Sequence, residues 1–453
     1  MSPGTDYFSL LADALSTLQS GFGDLPRAHV RLDGDAARDA LQAAAERLRD
    51  NFPYQHPLYV GQMLKPPHPV ALLAYALAMH LNPNNHALDG GRASSAMEKA
   101  AVAAIARMFG WDAHLGHLTG GGTMANLEAL WVARELAPGR TVVASEQAHY
   151  THSRLSGVLD MPFRGIAADA AGRMDLVALE RELSVGDVGT VVATLGTTAA
   201  GAVDPLPGIL ALRERYAFRL HVDSAYGGYF TLAGNLSAPA RAAFDAIGAA
   251  DSIVIDPHKH GLQPFGCGCV LFRDPSVGRI YRHDSPYTYF SSAELHLGEI
   301  SLECSRPGAS AVALWTTLRM LPLERGGEFA HGLEAGREAA LALYTALTHD
   351  ERFAPLRLPE LDIVTWAVRA HSASESSARA RRVFEAAAAR QLHLALATFP
   401  RAMVEPAGGI SSWDAASVLC LRACVMKPEH REWLPEILVR LDRAAVDAES
   451  GGD

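Results

Sequence analysis

The stretch Asp256-Pro257-His258-Lys259-His260-Gly261 follows an apolar run, Ser252-Ile253-Val254-Ile255, that predicts a buried strand. A lysine just past such a strand is poised for desolvation, and a desolvated lysine amine is a nucleophile towards carbonyl groups. We therefore hypothesise that Lys259 carries pyridoxal phosphate as a Schiff base. The alternative is a surface lysine in a strand-to-loop turn, so the hypothesis depends on whether the chain supplies the other partners of that cofactor.

Length and composition are those of a globular protein with more than one domain. The chain has 453 residues, 49% of them hydrophobic and 20% charged. Its net charge of -10 comes from acidic and basic residues mixed along the chain, which argues against nucleic acid or an anionic membrane as the main partner. Five cysteines fit a reducing compartment, and the sequence shows neither a leader peptide nor an apolar run of roughly 18 residues. We expect a cytoplasmic protein.

From Gly116 onwards, short apolar runs alternate with helical patterns, which predicts a mostly parallel sheet with helices on its faces. The first four predicted strands end in polar or glycine-rich loops, and parallel sheets bind ligands at the carboxyl ends of their strands. The predicted strands span residues 141–144, 190–195, 220–223, 252–255 and 269–272.

The chain is predicted to fall into three parts. Residues 1–52 hold two amphipathic helices and are too short for a domain of their own, so they are interpreted as a helical arm. Residues 53–322 form the large domain. Helices and short strands, including 363–368 and 419–426, predict a small α+β domain over residues 323–453.

Gly120-Gly121-Gly122-Thr123 comes just before a helical pattern that runs from Met124 to Leu136. Glycines let the backbone approach an anion closely, and free N–H groups at a helix start bind phosphate. The stretch therefore predicts a phosphate site. It is not a Walker loop, because no Gly-Lys-Ser/Thr sequence follows.

The same stretch also fits a dinucleotide-binding motif. Gly120, Gly122 and Ala125 satisfy the relaxed G-x-G-x-x-A pattern, and Glu146 follows the next predicted strand at a plausible distance for a ribose contact. The sequence shows no convincing strand before Thr119, which weakens this interpretation. An NAD-dependent oxidoreductase is kept as an alternative.

Asp223 stands at the end of a predicted strand and is followed by small residues, which leave room for a flat ring. A carboxylate there can keep a pyridinium nitrogen protonated, which makes the ring an electron sink. A single Asp often just caps a loop. Its position one helix-plus-strand unit before Lys259 favours the cofactor role.

Two more strand ends carry candidate contacts. His149 can stack on a ring, and Thr198 offers a hydroxyl to a ligand or to an ordinary turn. His149 and His152 are three residues apart, but no carboxylate or cysteine is placed to complete a metal site with them. We expect no metal.

Six stretches of the chain carry a family resemblance: Leu118-Thr-Gly-Gly-Gly-Thr-Met-Ala-Asn126, Ser145-Glu-Gln-Ala-His149, Ala193-Thr-Leu-Gly-Thr-Thr198, His221-Val-Asp-Ser-Ala225, Asp256-Pro-His-Lys259 and Leu421-Arg-Ala-Cys-Val-Met-Lys-Pro428. Together they resemble the group II pyridoxal-phosphate decarboxylases, which include glutamate, aromatic amino acid and archaeal tyrosine/aspartate decarboxylases. The resemblance runs from about residue 54 to the C-terminus.

The resemblance implies the α/β architecture of fold-type I: a large, mostly parallel seven-stranded sheet flanked by helices, plus a small C-terminal α+β domain. It also implies a homodimer with the active site at the interface. Lys259 would form the Schiff base, and Asp223 would pair with the ring nitrogen. The remaining cofactor contacts would be His149 and Ala225 on the two ring faces, Gly121, Gly122, Thr123 and His258 at the phosphate, and Thr198 near the reacting carboxylate.

Further roles are implied for one tyrosine and two arginines. Tyr287, with Tyr289 as a rival, lies in an aromatic loop over residues 285–290 and would be the proton donor, unless the loop serves only packing. Arg306 lies in Cys304-Ser-Arg-Pro-Gly308, which resembles a Ser/Thr-Arg-x-Gly segment that in related enzymes lies beside the cofactor across a dimer interface. Arg422 matches an arginine that can bind a substrate carboxylate with a bidentate fork. Either arginine could instead be structural.

The resemblance implies decarboxylation of an L-amino acid to an amine and CO2. Gln62, in the proline-rich loop that follows Tyr59, could contact either a carboxylate or a phenol, so the substrate is acidic or aromatic, with a slight preference for acidic. The alternatives are a decarboxylation-coupled transamination or oxidation, which releases an aldehyde or ketone, and a cofactor-binding protein without activity.

The role of Lys259 can be tested directly. Purified wild-type protein should absorb visible light because of the Schiff base, and Lys259→Ala should lose that absorbance completely. The measurement is an absorption spectrum of both proteins at equal concentration. Visible absorbance that survives in Lys259→Ala would contradict the cofactor assignment.

Overall fold

The computed structural model describes residues 6–26, 31–86, 88–281 and 301–450. Its helices are α1 (Tyr7–Ser20), α2 (Gly34–Leu48), α3 (Pro69–Met79), α4 (Leu88–Met108), α5 (Gly122–Leu136), α6 (Thr151–Val158), α7 (Leu176–Ser184), α8 (Leu206–Arg213), α9 (Ala238–Asp245), α10 (Gly278–Tyr281), α11 (Gly308–Met320), α12 (Glu328–Thr348), α13 (Ala373–Ala389), α14 (Arg401–Val404) and α15 (His430–Ser450).

The strands are β1 (Leu115–Thr119), β2 (Thr141–Ser145), β3 (Phe163–Ile166), β4 (Val188–Thr194), β5 (Arg219–Asp223), β6 (Ser252–Ile255), β7 (Gly268–Phe272), β8 (Phe353–Pro355), β9 (Ile363–Val368), β10 (Ala370–Ser372), β11 (Ala395–Pro400), β12 (Ile410–Ser412) and β13 (Ser417–Cys424).

The large sheet has seven strands in the order β1-β7-β6-β5-β4-β2-β3. The five neighbouring strands β6, β5, β4, β2 and β3 pair in parallel. Helices cross over between strands that follow one another along the chain, which makes this parallel pairing possible. No helix separates β6 from β7, and β7 runs antiparallel to both β6 and β1. Strands β2, β6 and β7 are buried along their whole length, as expected for a sheet covered on both faces. The predicted seven-stranded, mostly parallel sheet is confirmed.

The sequence interpretation missed two edge strands of this sheet. Strand β1 ends at Thr119, so the expectation that no strand precedes the glycine-rich stretch was wrong. Gly116 and His117 interrupt the apolar pattern of this strand, and the structure explains both residues. A Cβ at Gly116 would lie 2.7 Å from the Val270 carbonyl oxygen of β7, and His117 is buried and bonded to Glu128 at 2.8 Å. Strand β3 is short and half-exposed.

A second, antiparallel sheet in the order β11-β13-β9-β8 forms the C-terminal α+β part, with helices α12, α13 and α15 packed against it. Leu58 and Val60 pack into the core of this part, and the Val60 N–H donates to the His393 carbonyl at 3.0 Å. A piece of the predicted large domain thus contributes to the small core. The proposed division at residues 52 and 322 stays a prediction.

Among the helices that the structure describes, none combines the length and the apolar character that a bilayer crossing requires.

Candidate active site

A cavity of about 620 Å³ opens where β4, β5 and β6 end and helix α5 begins. These ends meet because neighbouring parallel strands point their carboxyl termini to one edge of the sheet. Nine of the cofactor contacts that the resemblance implies line this one cavity: Gly121, Gly122, Thr123, His149, Thr198, Asp223, Ala225, His258 and Lys259.

Lys259 reaches the cavity from the loop that follows β6. Its amine lies 3.0 Å from Oδ2 of Asp256, and 22% of its side chain is exposed. Asp256 is buried, and its Oδ1 has no hydrogen-bond partner among the described residues. Helix α5 approaches this carboxylate so closely that a Cβ at Gly122 would lie 2.7 Å from its Oδ2. A glycine is therefore needed at position 122 for the lysine and the helix start to share one cavity.

The start of helix α5 forms an anion cradle. Gly121 is the N-cap residue, with φ of 148° and no side-chain cap, so the first backbone N–H groups of the helix face the cavity free. Gly268 of β7 packs directly behind this turn, where a Cβ would come within 2.5 Å of the Gly121 carbonyl carbon. Thr123 adds a hydroxyl. The cradle has the chemistry of a phosphate site.

Two side chains of different shape stand at the cavity walls. His149 accepts a hydrogen bond at Nδ1 from the Thr151 N–H (3.3 Å) and packs on Tyr150 with ring centroids 4.3 Å apart. Burial lowers the pKa of His149, so the ring is neutral at pH 7 and suits stacking on a flat ligand. Ala225 adds only a methyl group.

His258 also lines the cavity. Its Nδ1 accepts a hydrogen bond from the Cys267 N–H at 3.3 Å, and burial lowers the pKa of His258.

The carboxylate of Asp223 lies at the end of β5. Burial would raise the pKa of Asp223, but the hydrogen bonds from His152 (2.8 Å) and from the Ala225 N–H (3.0 Å), together with the nearby charge of Lys259, outweigh that effect. The pKa of Asp223 therefore lies well below its usual range. Asp223 is an ionised, buried acceptor at pH 7, as a partner of a protonated ring nitrogen must be.

The sequence interpretation missed several residues of the site. His152 contacts Asp223 instead of forming a metal pair with His149, and Asn126 also reaches Asp223 at 3.3 Å. Thr194 lines the cavity, and its buried hydroxyl has no partner in the described part of the chain. The signal for His152 was its place three residues after His149, across the turn that leads into helix α6. Asn126 and Thr194 lie within two of the stretches that carry the resemblance, but nothing in the sequence assigned either of them a role.

Gln62 and Arg422 lie next to each other but outside the lining of the cavity. The buried guanidinium of Arg422 donates to the carbonyls of Thr198 (2.8 Å) and Ala199 (3.1 Å), and more weakly to Gly61 and to Oε1 of Gln62 (3.3 Å). These contacts use most of its five N–H groups. Arg422 thus joins the Thr198 loop to the Gln62 loop, and a direct bond to a substrate carboxylate stays a prediction.

Arg306 is also buried and also outside the cavity lining. Its Nη1 donates at 2.7 Å both to Oε1 of Glu98 and to the carbonyl of Leu118, just before the glycine-rich stretch. In the single chain it supports that stretch from behind, and a cofactor contact across an interface stays a prediction. Tyr287 and Tyr289 lie outside the described residues.

The residues present fit pyridoxal phosphate. A lysine amine, a neutral imidazole, a methyl group, an ionised carboxylate and a glycine-rich anion cradle all line the cavity, and they are the parts that this cofactor requires. The partnerless oxygen of Asp256 and hydroxyl of Thr194 leave polar atoms for a ligand. Glu146, the ribose candidate of the dinucleotide interpretation, is exposed and does not line the cavity.

Comparison with known proteins gives the same result. The model of the pyridoxal-dependent decarboxylase conserved domain matches residues 52–368. L-tyrosine decarboxylase of Enterococcus faecium is 29% identical over 449 residues, covering 75% of this chain and 73% of that protein. L-aspartate decarboxylase of Thermococcus kodakarensis is 28% identical over 294 residues, covering 64% and 74%. The crystal structure of Oryza sativa TDC with PLP and tryptamine, 18% identical, superposes with a TM-score of 0.76 over 97% of this chain and 94% of that one.

The chain therefore belongs to the pyridoxal-dependent decarboxylase family, and its fold is that of these enzymes. It is a pyridoxal-phosphate-dependent amino acid decarboxylase, and pyridoxal 5'-phosphate is its cofactor. The oxidoreductase alternative is thereby set aside.

The buried imidazole of His221, behind Asp223, makes stability depend on pH. Burial lowers the pKa of His221 to about 3 from an ordinary 6.5, so below pH 6.5 the unfolded chain binds a proton that the folded chain does not. The free energy of unfolding should fall by up to about 1.4 kcal/mol per pH unit from pH 6.5 towards 3 on this account.

His221→Gln should make this dependence shallower, because glutamine does not titrate. The measurement is the urea midpoint of unfolding, followed by tryptophan fluorescence between pH 7 and 4. His349→Gln, on an exposed side chain, is the control. An unchanged dependence in His221→Gln would contradict the assignment of a buried neutral imidazole.

Proposed function

We propose that this enzyme decarboxylates an L-amino acid whose side chain ends in an oxygen acceptor, and that an acidic side chain is preferred over a phenol. The relatives named above act on tyrosine and on aspartate, so both chemistries occur among similar proteins. The observation that carries the proposal is the orientation of the Gln62 amide next to the cavity.

Gln62 is oriented by its neighbour. Arginine has only donors, so the atom of the Gln62 amide that faces Arg422 is its oxygen, and the distance is 3.3 Å. The amide nitrogen therefore faces away, and the exposed side chain offers two N–H donors. Such donors can bind the oxygen of a carboxylate or a hydroxyl. An ammonium group has no acceptor for them, because it carries only N–H donors itself. Arg422 also donates to the carbonyl of Thr198, which lines the cavity, so the arginine links Gln62 to the cavity wall.

In this proposal, different residues of the cavity bind different parts of the cofactor. Lys259 attaches the cofactor, the Gly121–Thr123 turn with His258 binds its phosphate, and Asp223 holds its ring nitrogen protonated. His149 and Ala225 enclose the ring from its two faces. When bound, the cofactor accepts the electron pair that CO2 leaves behind. With the cofactor bound, the residues of the cavity would orient the substrate bond that breaks, and His149 would limit access of water.

The substrate class is tested with L-aspartate, L-glutamate, L-tyrosine and L-2,4-diaminobutyrate, with CO2 and amine measured together. We expect an acidic amino acid to give the highest kcat/KM, with CO2 and amine in equal amounts. Gln62→Glu, which replaces the donors with a negative charge, should lower kcat/KM for the acidic substrate about tenfold or more.

Gln55→Glu is the matched control, because it adds the same charge to an exposed position seven residues earlier. Highest activity with diaminobutyrate would contradict the proposed substrate class. An aldehyde or ketone without amine would instead indicate the coupled transamination or oxidation.

We also propose that the enzyme is a homodimer with the active site at its interface. Helices α1 and α2 of the N-terminal arm bury no residue in the single chain, and large apolar side chains on them are exposed, including Phe8 (82%) and Leu41 (71%). Large apolar side chains left exposed on two neighbouring helical segments of the chain suit an interface. Phe265 lines the cavity and is exposed at its rim, where a partner subunit would cover it.

Light scattering tests the assembly. The wild type should have twice the chain mass of 48.4 kDa, and the double variant Phe8→Glu/Leu41→Glu should shift towards the monomer with a dimer dissociation constant raised at least about tenfold. Val177→Glu, at an exposed apolar position on α7 (70%), is the control. A wild-type mass of one chain would contradict the proposal.

A cytoplasmic location is proposed on the chemistry of the cysteines. All five are free thiols, and four of them are buried. Such thiols persist in a reducing compartment. Cell fractionation with an antibody against the protein checks this, and recovery outside the cytoplasmic fraction would contradict it.

A further inference from the structure

Behind the cavity, the carboxylate of Asp223 meets three N–H donors of the protein. Oδ1 accepts from the Ala225 backbone (3.0 Å), and Oδ2 accepts from His152 Nε2 (2.8 Å) and from Asn126 Nδ2 (3.3 Å). A carboxylate offers about four acceptor positions. The protein therefore occupies three, and one remains for a donor inside the cavity.

The donors and acceptors of the hydrogen bonds that lead through Asn126 to Asp223 can be assigned in only one way. His221 is neutral at pH 7, because burial lowers its pKa to about 3. Asn126 must turn its nitrogen to the carboxylate, so its oxygen accepts from Nε2–H of His221 at 2.8 Å. Nδ1 of His221 then accepts from the Ser252 hydroxyl at 2.9 Å. Hydrogen bonds thus run from Ser252 to His221, from His221 to Asn126 and from Asn126 to Asp223. Asn126 and His221 each both accept and donate in this series.

His152 differs, because it has one polar partner. Its side chain is fully buried, and Nδ1 has no hydrogen-bond partner in the part of the chain that the structure describes. Nε2 makes the shortest hydrogen bond that Asp223 receives. The turn that leads into helix α6 is closed by a hydrogen bond from the His152 N–H to the His149 carbonyl (3.2 Å), and it directs one imidazole to the cavity lining and the other behind the carboxylate.

We infer that His152 is a positioning residue for the decarboxylation: it acts through Asp223 by supplying the N–H that fixes the carboxylate towards the ring nitrogen of the cofactor. This inference rests on the proposed role of Asp223. The tight, single bond from His152 orients Oδ2, and the remaining acceptor position of the carboxylate then points into the cavity. Without that bond, Asp223 keeps only the longer bond from Asn126 on Oδ2.

Two amide substitutions separate this role from a packing role. Glutamine places its N–H close to the position of histidine Nε2, whereas asparagine is too short and matches Nδ1. His152→Gln should keep the cofactor dissociation constant, measured by adding pyridoxal phosphate to the apoenzyme, within about threefold of wild type. His152→Asn should raise that constant about tenfold or more and lower kcat about tenfold with little change in KM.

Asp223→Asn is the control for the premise. If it leaves cofactor affinity and the visible spectrum unchanged, the proposed role of Asp223 fails and the inference fails with it. If Asp223→Asn weakens the cofactor while His152→Gln and His152→Asn behave alike, whether both intact or both equally impaired, only the positioning role of His152 is overturned. Should His152→Asn not fold, His152→Met, which fills the space without a donor, replaces it.

Discussion

The site depends on one buried charge, the carboxylate of Asp223. Removing a carboxylate from water is costly unless hydrogen bonds replace the lost solvation. Here the replacements come from three separate pieces of the chain: the turn after β5, helix α5 and helix α6. The fold therefore has to bring these pieces together before the cavity can contain an ionised acceptor.

The same edge of the sheet supplies the other parts. Lys259 follows β6 and Asp223 ends β5, so the two are neighbours because their strands are neighbours. The glycine-rich turn belongs to β1 and α5, and it reaches this edge only because β7 runs back antiparallel and pairs with β1. Gly268 permits that approach, since a side chain there would collide with the Gly121 backbone. The position of the anion cradle thus follows from the reversal of a single strand.

Much of the site could be predicted from the sequence, because cofactor chemistry needs particular residue types at the ends of recognisable strands. Lys259, Asp223 and the glycine-rich stretch follow apolar runs or precede a helix, so their places in the fold were predictable. Strand β1 was not, because two residues interrupt its apolar pattern: Gly116, which allows close strand pairing, and His117, which forms a buried hydrogen bond with Glu128. Asn126 and His152 act through partners distant in sequence, and no local pattern encodes such contacts.

The contacts of Arg422 have a consequence for how specificity can diverge. Its strongest hydrogen bonds go to main-chain carbonyls, those of Thr198 and Ala199, which exist whatever side chains stand at those positions. The arginine can therefore hold the two loops in the same arrangement while their side chains change. Enzymes with this frame can acquire new substrates by replacing loop residues one at a time, without first losing the architecture that keeps the cofactor in place.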